Sequence, residues 1–113
     1  MRQLINEQDM QDVVSIEELI ARLEDGSTVL LDVRPEDEFA EGHLPGAISI
    51  PIDQLVNSLA NIPADSQVIA YCRGPYCMLS AEAVIVLQRR GFHAKRLLGG
   101  IMDWRDAGQP VSS

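Results

Sequence analysis

The sequence predicts an α/β domain in which a mainly parallel β-sheet carries helices on both faces. Apolar segments of strand length alternate along the chain with segments of helical periodicity. The strand segments are continuously apolar, which is typical of parallel strands buried on both faces. With 113 residues, the chain has the usual size of one domain and can bury a core without disulfide bonds.

Composition and charge narrow the class of protein. The net charge is −8, with 46% apolar and 23% charged residues, an ordinary globular balance. Because phosphates repel an acidic chain, we expect no direct nucleic-acid or anionic-membrane partner. An apolar run of about 20 residues and an N-terminal signal core are both missing, so we expect a cytoplasmic chain without a membrane span. Two cysteines are too few for a secreted disulfide framework.

The first elements follow from capping and periodicity signals. Residues 1–12 are polar and acidic and are interpreted as a tail or linker, which leaves a domain over residues 13–111. Ser15 and Glu18 form the S-x-x-E pattern that begins a helix. The apolar stripe of that helix is Ile16, Leu19, Ile20 and Leu23, and Gly26 follows its end. Residues 28–33 predict the first buried strand.

The later elements alternate in the same way. Pro35 begins a short acidic helix that ends at Gly42. Further strands are predicted over residues 47–50, 67–71 and 95–98. Helical spacing recurs at Ile52, Leu55, Val56 and Leu59 and at Leu79, Ala83, Val86 and Leu87, and a last helix over 101–107 follows the break at Gly99-Gly100.

The loop after Tyr71 places a cysteine between a buried strand and a helix, at a strand end where such sheets bind ligands. Gly74 and Pro75 permit the sharp turn that this placement needs. Backbone N–H groups in such a turn, with the helix N-terminus beyond it, are expected to stabilise Cys72 as a thiolate. Arg73 adds a second positive influence or helps to hold an anion. The alternative is a buried, inert cysteine that ends a core strand.

Four motifs in series resemble the signatures of the rhodanese family. They are Leu31-Asp32-Val33-Arg34, Glu38-Phe39-Ala40-Glu41-Gly42-His43-Leu44-Pro45-Gly46-Ala47, Tyr71-Cys72 and Gly99-Gly100-Ile101-Met102-Asp103-Trp104. The resemblance implies a five-stranded parallel sheet flanked by helices. It also implies that Cys72 is the catalytic residue, which accepts a sulfane sulfur as a persulfide and passes it to a thiophilic acceptor.

The active-site loop departs from the common family pattern. Many family loops have Gly and Arg where Pro75 and Cys77 stand, and the helix landmarks after the loop fall later than usual, which predicts a longer loop. The run from Cys72 to Cys77 resembles the rhodanese domains fused to arsenic-responsive winged-helix repressors. Cys77 is interpreted either as a resolving thiol that forms an intramolecular disulfide or as a residue packed beneath the loop. The candidate substrate-binding residues are Arg73, Gly74, Pro75, Tyr76, Cys77 and Met78.

Other polar residues near the motifs have structural interpretations. Asp32 and Arg34 are expected to tie a strand end to neighbouring loops, with Arg34 facing the active loop as the alternative. His43 is interpreted as a hydrogen-bonded structural histidine and Trp104 as an apolar anchor of the last helix. The acidic run Glu36-Asp37-Glu38 is interpreted as a solvated helix face. We expect no cofactor. We also expect no metal, because two thiols and two dispersed histidines lack metal-ligand spacing.

Three functions are consistent with these observations. The first is a sulfurtransferase that takes sulfur from thiosulfate or a persulfide, a small sulfur-containing donor, and gives it to a thiol or cyanide. The second is a regulatory or redox-sensing module, the C-terminal part of a transcriptional regulator or a domain that acts on a partner regulator. The third is an oxyanion reductase or phosphatase, but that chemistry normally needs an Arg where Met78 stands.

Overall fold

The computed structural model describes residues 12–74 and 78–113. Within these residues lies one parallel sheet of five strands. The strands are β1 (Val13–Val14), β2 (Thr28–Asp32), β3 (Ile48–Ser49), β4 (Gln67–Tyr71) and β5 (His93–Leu97). Their order is β1-β5-β4-β2-β3, so β4 is the central strand and the two shortest strands form the edges. The predicted fold class is confirmed.

Four α-helices and two 3₁₀ segments accompany the strands in this part of the chain, and the last helix follows the last strand. The helices are α1 (Ile16–Asp25), α2 (Glu36–Glu41), α3 (Leu79–Arg89) and α4 (Gly100–Asp106), and the 3₁₀ segments are Ile52–Gln54 and Val56–Asn61. At the start of α1, the hydroxyl of Ser15 accepts a hydrogen bond from the backbone N–H of Glu18 at 3.1 Å. The capping signal in the sequence therefore marks the helix start correctly.

Four elements differ most from their predictions. β1 carries no sequence signal because two residues cannot display a period, yet its residues pair with β5 in parallel register. β5 begins at His93 rather than at residue 95, and β3 is limited to two residues. The helical spacing after Pro51 is realised as two 3₁₀ segments, with Ser58 donating its N–H to Leu55. This segment is short and is closed by Pro63, which is the setting in which 3₁₀ geometry replaces a longer α-helix.

The sheet separates two apolar clusters, which confirms that helices cover both faces. On one face α1 and α4 supply Leu19, Ile101 and Trp104 to a cluster with residues of β2 and β4. On the other face α3 supplies Ala83, Val84 and Leu87, and Leu55 comes from between the two 3₁₀ segments. This cluster also contains Cys72. No helix among residues 12–74 and 78–113 is long and apolar enough to span a bilayer.

Candidate active site

Cys72 lies at the carboxyl end of β4, the central strand of the sheet. The residue is 1% exposed and belongs to the apolar cluster that contains Val33 and Ala83. It is disulfide-bonded in the structure. The predicted placement between a buried strand and a helix is therefore observed, since α3 begins at Leu79.

The N-terminus of α4 holds the backbone of Cys72 and Arg73. The N–H of Ile101 donates to the carbonyl of Cys72 at 3.0 Å, and the N–H of Met102 donates to the carbonyl of Arg73 at 3.0 Å. Both bonds fix the direction in which the chain leaves β4. Arg73 lies outside the strands and helices, so these bonds satisfy backbone carbonyls after the end of β4 as ladder bonds do within the strand.

Gly100 makes this close approach of α4 and the loop sterically feasible. A Cβ at this position would lie 2.5 Å from the carbonyl oxygen of Cys72 and 2.9 Å from the carbonyl carbon of Arg73, and φ is +66°. Only glycine tolerates both conditions. This role of Gly100 goes beyond the strand break that the sequence predicts at Gly99-Gly100, although a glycine pair directly before a helix is a signal for it.

The side chain of Arg73, predicted to influence or hold an anion, pairs with Glu38 of α2. The Nε of Arg73 donates to both carboxylate oxygens at 2.9 and 3.1 Å, and its Nη2 donates at 2.6 Å. The hydrogen bond from Arg73 lowers the pKa of Glu38, although partial burial acts in the opposite direction. The same hydrogen bond raises the pKa of Arg73. The acidic face predicted to be solvated therefore contains Glu38, a residue of the site for which the sequence has no local signal.

A buried polar network lies beneath the site at the ends of β2 and β4. Arg34 donates from Nη2 to Asp32 at 2.7 Å and to the carbonyl of Gly42 at 2.6 Å. The hydroxyl of Tyr71 donates to Asp32 at 2.7 Å and accepts the N–H of Leu44 at 3.1 Å. These bonds tie two strand ends to the 42–44 segment, as predicted for Asp32 and Arg34.

Burial and charge shift the ionisation of two members of this network. Burial and the adjacent Asp32 carboxylate raise the pKa of Tyr71, so the phenol remains a hydrogen-bond donor. Burial by itself lowers the pKa of Arg34, but the hydrogen bonds and charge of Asp32 outweigh it and the pKa is raised. The network therefore contains a neutral phenol and a fixed ion pair at neutral pH.

His43 and Trp104 have structural contacts, as predicted. The Nδ1 of His43 lies 2.8 Å from the carbonyl of Phe39, and the two rings stack with centroids 3.7 Å apart. The backbone of His43 also exchanges hydrogen bonds with Ser112. Trp104 is buried and donates from Nε1 to the carbonyl of Pro110 at 2.6 Å.

The other predicted loop residues divide into two groups. Gly74 lies beside α4, where a Cβ would come within 2.9 Å of the sulfur of Met102, and Met78 is 68% exposed directly before α3. The predicted substrate-binding residues Pro75, Tyr76 and Cys77, and with them the predicted resolving role of Cys77, lie outside the described residues.

A cavity of about 480 Å³ opens at the carboxyl ends of the strands, the same end of the sheet as Cys72. Its walls come from the segments that follow β2 and β3 and from the first residue of α3. The lining residues are Val33, Pro35, Glu36, Pro51, Ile52, Asp53, Gln54 and Leu79. The cavity therefore combines apolar walls with two carboxylates. Across residues 12–74 and 78–113, no cluster of three or more His, Cys, Asp or Glu side chains has the arrangement of a metal site.

Comparison with known proteins shows the class of the domain. The chain is 45% identical over 101 residues to the HTH-type transcriptional regulator Rv0324 of Mycobacterium tuberculosis, covering 89% of this chain and 45% of the regulator. It is 34% identical to a sulfurtransferase of Allochromatium vinosum, covering 90% of this chain and 95% of that protein. The crystal structure of the BH2092 protein from Bacillus halodurans superposes with a TM-score of 0.84 at 28% identity, covering 94% of this chain and 80% of that one.

The fold and site define a parallel α/β domain with a cysteine at the carboxyl end of its central strand. The rhodanese-like domain model matches residues 15–107. The chain belongs to the rhodanese-like domain family, and its relatives include proteins named as sulfurtransferases. It spans less than half of the transcriptional regulator and nearly all of the sulfurtransferase.

Proposed function

We propose that this domain is a sulfurtransferase in which Cys72 carries the transferred sulfur. The observation that carries the proposal is the position of Cys72, at the end of the central strand with its carbonyl fixed by α4. This arrangement suits a nucleophile that must stay in place while a donor and then an acceptor approach it. A cytoplasmic location fits a chemistry that needs a reduced thiol.

The first half-reaction is the loading of Cys72. In its reduced form the thiolate attacks the outer sulfur of thiosulfate, the sulfur–sulfur bond of the donor breaks, and sulfite leaves with the bonding electron pair. Cys72 then holds a persulfide, and the total charge is unchanged. With an organic persulfide as donor, the leaving group is the parent thiol. Backbone N–H groups of the loop are expected to stabilise the negative sulfur.

The second half-reaction unloads the domain. A thiolate or cyanide attacks the outer sulfur of the persulfide, and Cys72 leaves as a thiolate. The products are a new persulfide or thiocyanate, and no cofactor is needed. The loop residues Arg73, Gly74 and Met78, together with Pro75, Tyr76 and Cys77, are proposed to contact the small molecules.

Mass spectrometry of the reduced protein tests the loading of Cys72. Incubation with thiosulfate is expected to add one sulfur atom to the peptide that contains Cys72, and cyanide is expected to remove it as thiocyanate. The Cys72→Ser variant is expected to gain no sulfur. The control is Cys77→Ser, in which Cys72 is the remaining cysteine. Sulfur on Cys77 but not on Cys72 would contradict the assignment.

A second candidate function is redox sensing within a regulatory protein. The disulfide-bonded state of Cys72 favours it, because the same sulfur cannot be loaded until it is reduced. In this proposal Cys77 is the resolving thiol, and the domain reports oxidants or sulfur species to a fused or partner regulator. If Cys77→Ser retained both full sulfur turnover and the oxidative sensitivity of the unmodified protein, this second function would be wrong.

A further inference from the structure

The positive charge closest in sequence to Cys72 is cancelled by a contact from another element. Arg73 makes three hydrogen bonds to the carboxylate of Glu38, and the two side chains are 50% and 26% exposed. A two-oxygen contact of this kind holds the guanidinium in one direction. The pair as a whole contributes no net charge to the site.

Among the described residues around this pair, one cation is bonded to a carboxylate and two further carboxylates line the neighbouring cavity. Arg34, which lies at the carboxyl end of β2, is buried and bonded to Asp32. Glu36 and Asp53 line the adjacent cavity, and the whole chain has a net charge of −8. A small, doubly charged anion that approaches Cys72 is therefore opposed by the field of the protein.

We propose that Glu38 is a specificity-determining residue, which pairs with Arg73 and thereby makes the site discriminate against dianionic sulfur donors. The donors favoured are those with a single negative charge on the sulfur-bearing group. The inference rests on the proposed function, because it assigns a donor class to the same cysteine. Glu38 acts through Arg73 and through its charge and has no covalent role.

Two donors of similar shape isolate the effect of charge. Thiosulfate has two negative charges, and methanethiosulfonate has one, because a methyl group replaces a charged oxygen. Each transfers its outer sulfur to the Cys72 thiolate, and each releases the rest of the molecule, as sulfite or methanesulfinate. Charge and atoms balance in both reactions, and the acceptor step is common to both.

The measured quantity is the ratio of kcat/KM for thiosulfate to kcat/KM for methanethiosulfonate, at low ionic strength. Glu38→Gln leaves Arg73 with an uncompensated charge, and we expect the ratio to rise about fivefold. Arg73→Gln leaves Glu38 uncompensated, and the ratio is expected to fall by a similar factor. The double variant removes both charges and is expected to return to within about twofold of the unmodified protein.

The double variant separates charge selectivity from a structural role of the ion pair. If the pair only held the loop, both single variants and the double variant would lose turnover with both donors, and the ratio would not move. Glu24→Gln is the matched control: it makes the same change in net charge on an exposed residue of α1, near the end of the sheet opposite Cys72. Thermal unfolding of each variant checks that the fold is retained.

The outcomes distinguish this inference from the proposed function. Absence of sulfur transfer from either donor to the reduced unmodified protein contradicts the sulfurtransferase proposal and, with it, the inference. Normal transfer with a ratio that stays within twofold in Glu38→Gln, or that shifts equally in Glu24→Gln, contradicts the role of Glu38 alone. Opposite shifts in the two single variants and recovery in the double variant support it.

Discussion

Tyr71 is the last residue of β4 and directly precedes Cys72, so its contacts bear on the position of the thiol. Its hydroxyl is the shared member of two bonds, one to the Asp32 carboxylate and one from the Leu44 N–H. All of these groups are buried. A buried polar atom that loses its partner costs more free energy than the bond itself contributes.

Tyr71→Phe is therefore expected to lower the free energy of unfolding by about 1–3 kcal/mol, because the N–H of Leu44 loses its acceptor and Asp32 loses a donor. Denaturant unfolding at neutral pH measures the change. A matched comparison is Ser66→Ala, which removes an exposed hydroxyl that bonds to Pro63 and is expected to cost much less. Equal losses in the two variants would contradict the buried network as the cause.

The raised pKa of Tyr71 also predicts how stability depends on pH. Its ordinary value is 10.0, and burial with the Asp32 charge holds the native value above it. Below the unfolded pKa both states keep the proton, so this contribution is fully present. As the pH rises above 10.0, the unfolded chain loses its proton first and the contribution declines. Unfolding measured from neutral to alkaline pH is expected to show a steeper loss in the unmodified protein than in Tyr71→Phe.

The lowered pKa of Glu38 predicts how donor selectivity depends on pH. Its ordinary value is 4.5, and the hydrogen bond from Arg73 holds the native value below it. The carboxylate therefore stays charged as pH falls toward 4.5, and its contribution is lost only when pH falls through the lower native pKa. The ratio of thiosulfate to methanethiosulfonate turnover is expected to stay constant between about pH 8 and about pH 5. A rise of that ratio toward the Glu38→Gln value within this range would show that the carboxylate titrates there.

At the scale of elements, the decisive contact is the one between α4 and the backbone that follows β4. The first residues of α4 supply two N–H donors to this backbone, and Gly100 supplies the space that the approach requires. α4 therefore both holds the backbone after β4 and packs against the sheet, because Trp104 lies in the apolar cluster on one face of it.

Gly100→Ala is expected to reduce sulfur transfer on the order of 100-fold, because the added methyl group displaces the Cys72 carbonyl and with it the thiol. Gly108→Ala is the control, since Gly108 also has a positive φ, +79°, but nothing lies within 4 Å of its Cβ position. Both variants are expected to lose about 1 kcal/mol or more of stability from the left-handed backbone. Equal turnover in the two variants would show that the contact with α4 does not position Cys72.

At the scale of the whole molecule, the net charge of −8 acts on every anionic donor that approaches Cys72 at the carboxyl ends of the strands. Such a field extends about one Debye length into solution and is screened by salt. The KM for thiosulfate is therefore expected to fall as ionic strength rises from about 0.01 M to about 0.15 M. Steady-state kinetics at constant pH measures it, with methanethiosulfonate as the less sensitive comparison. A KM for thiosulfate that rises with salt would mean that a local positive field dominates at the site.

Much of the fold could be predicted because its signals are local. The capping residue Ser15 and the apolar runs of β2 and β4 lie within a few residues of the elements that they specify. The edge strand β1 and the 3₁₀ segments after Pro51 could not be predicted, because the first is too short to have a period and the second keeps helical spacing with different hydrogen bonds.

The sequence by itself determined the parallel α/β architecture and the cysteine at the end of a buried strand, because periodicity, capping and the order of residues decide both. Only the tertiary structure decided that Glu38 neutralises Arg73 and that α4 holds the carbonyl of Cys72. These contacts join residues 35 and 29 positions apart in the chain. No local pattern encodes such a pairing, because folding brings the partners together through the sheet order and the packing of helices on its faces.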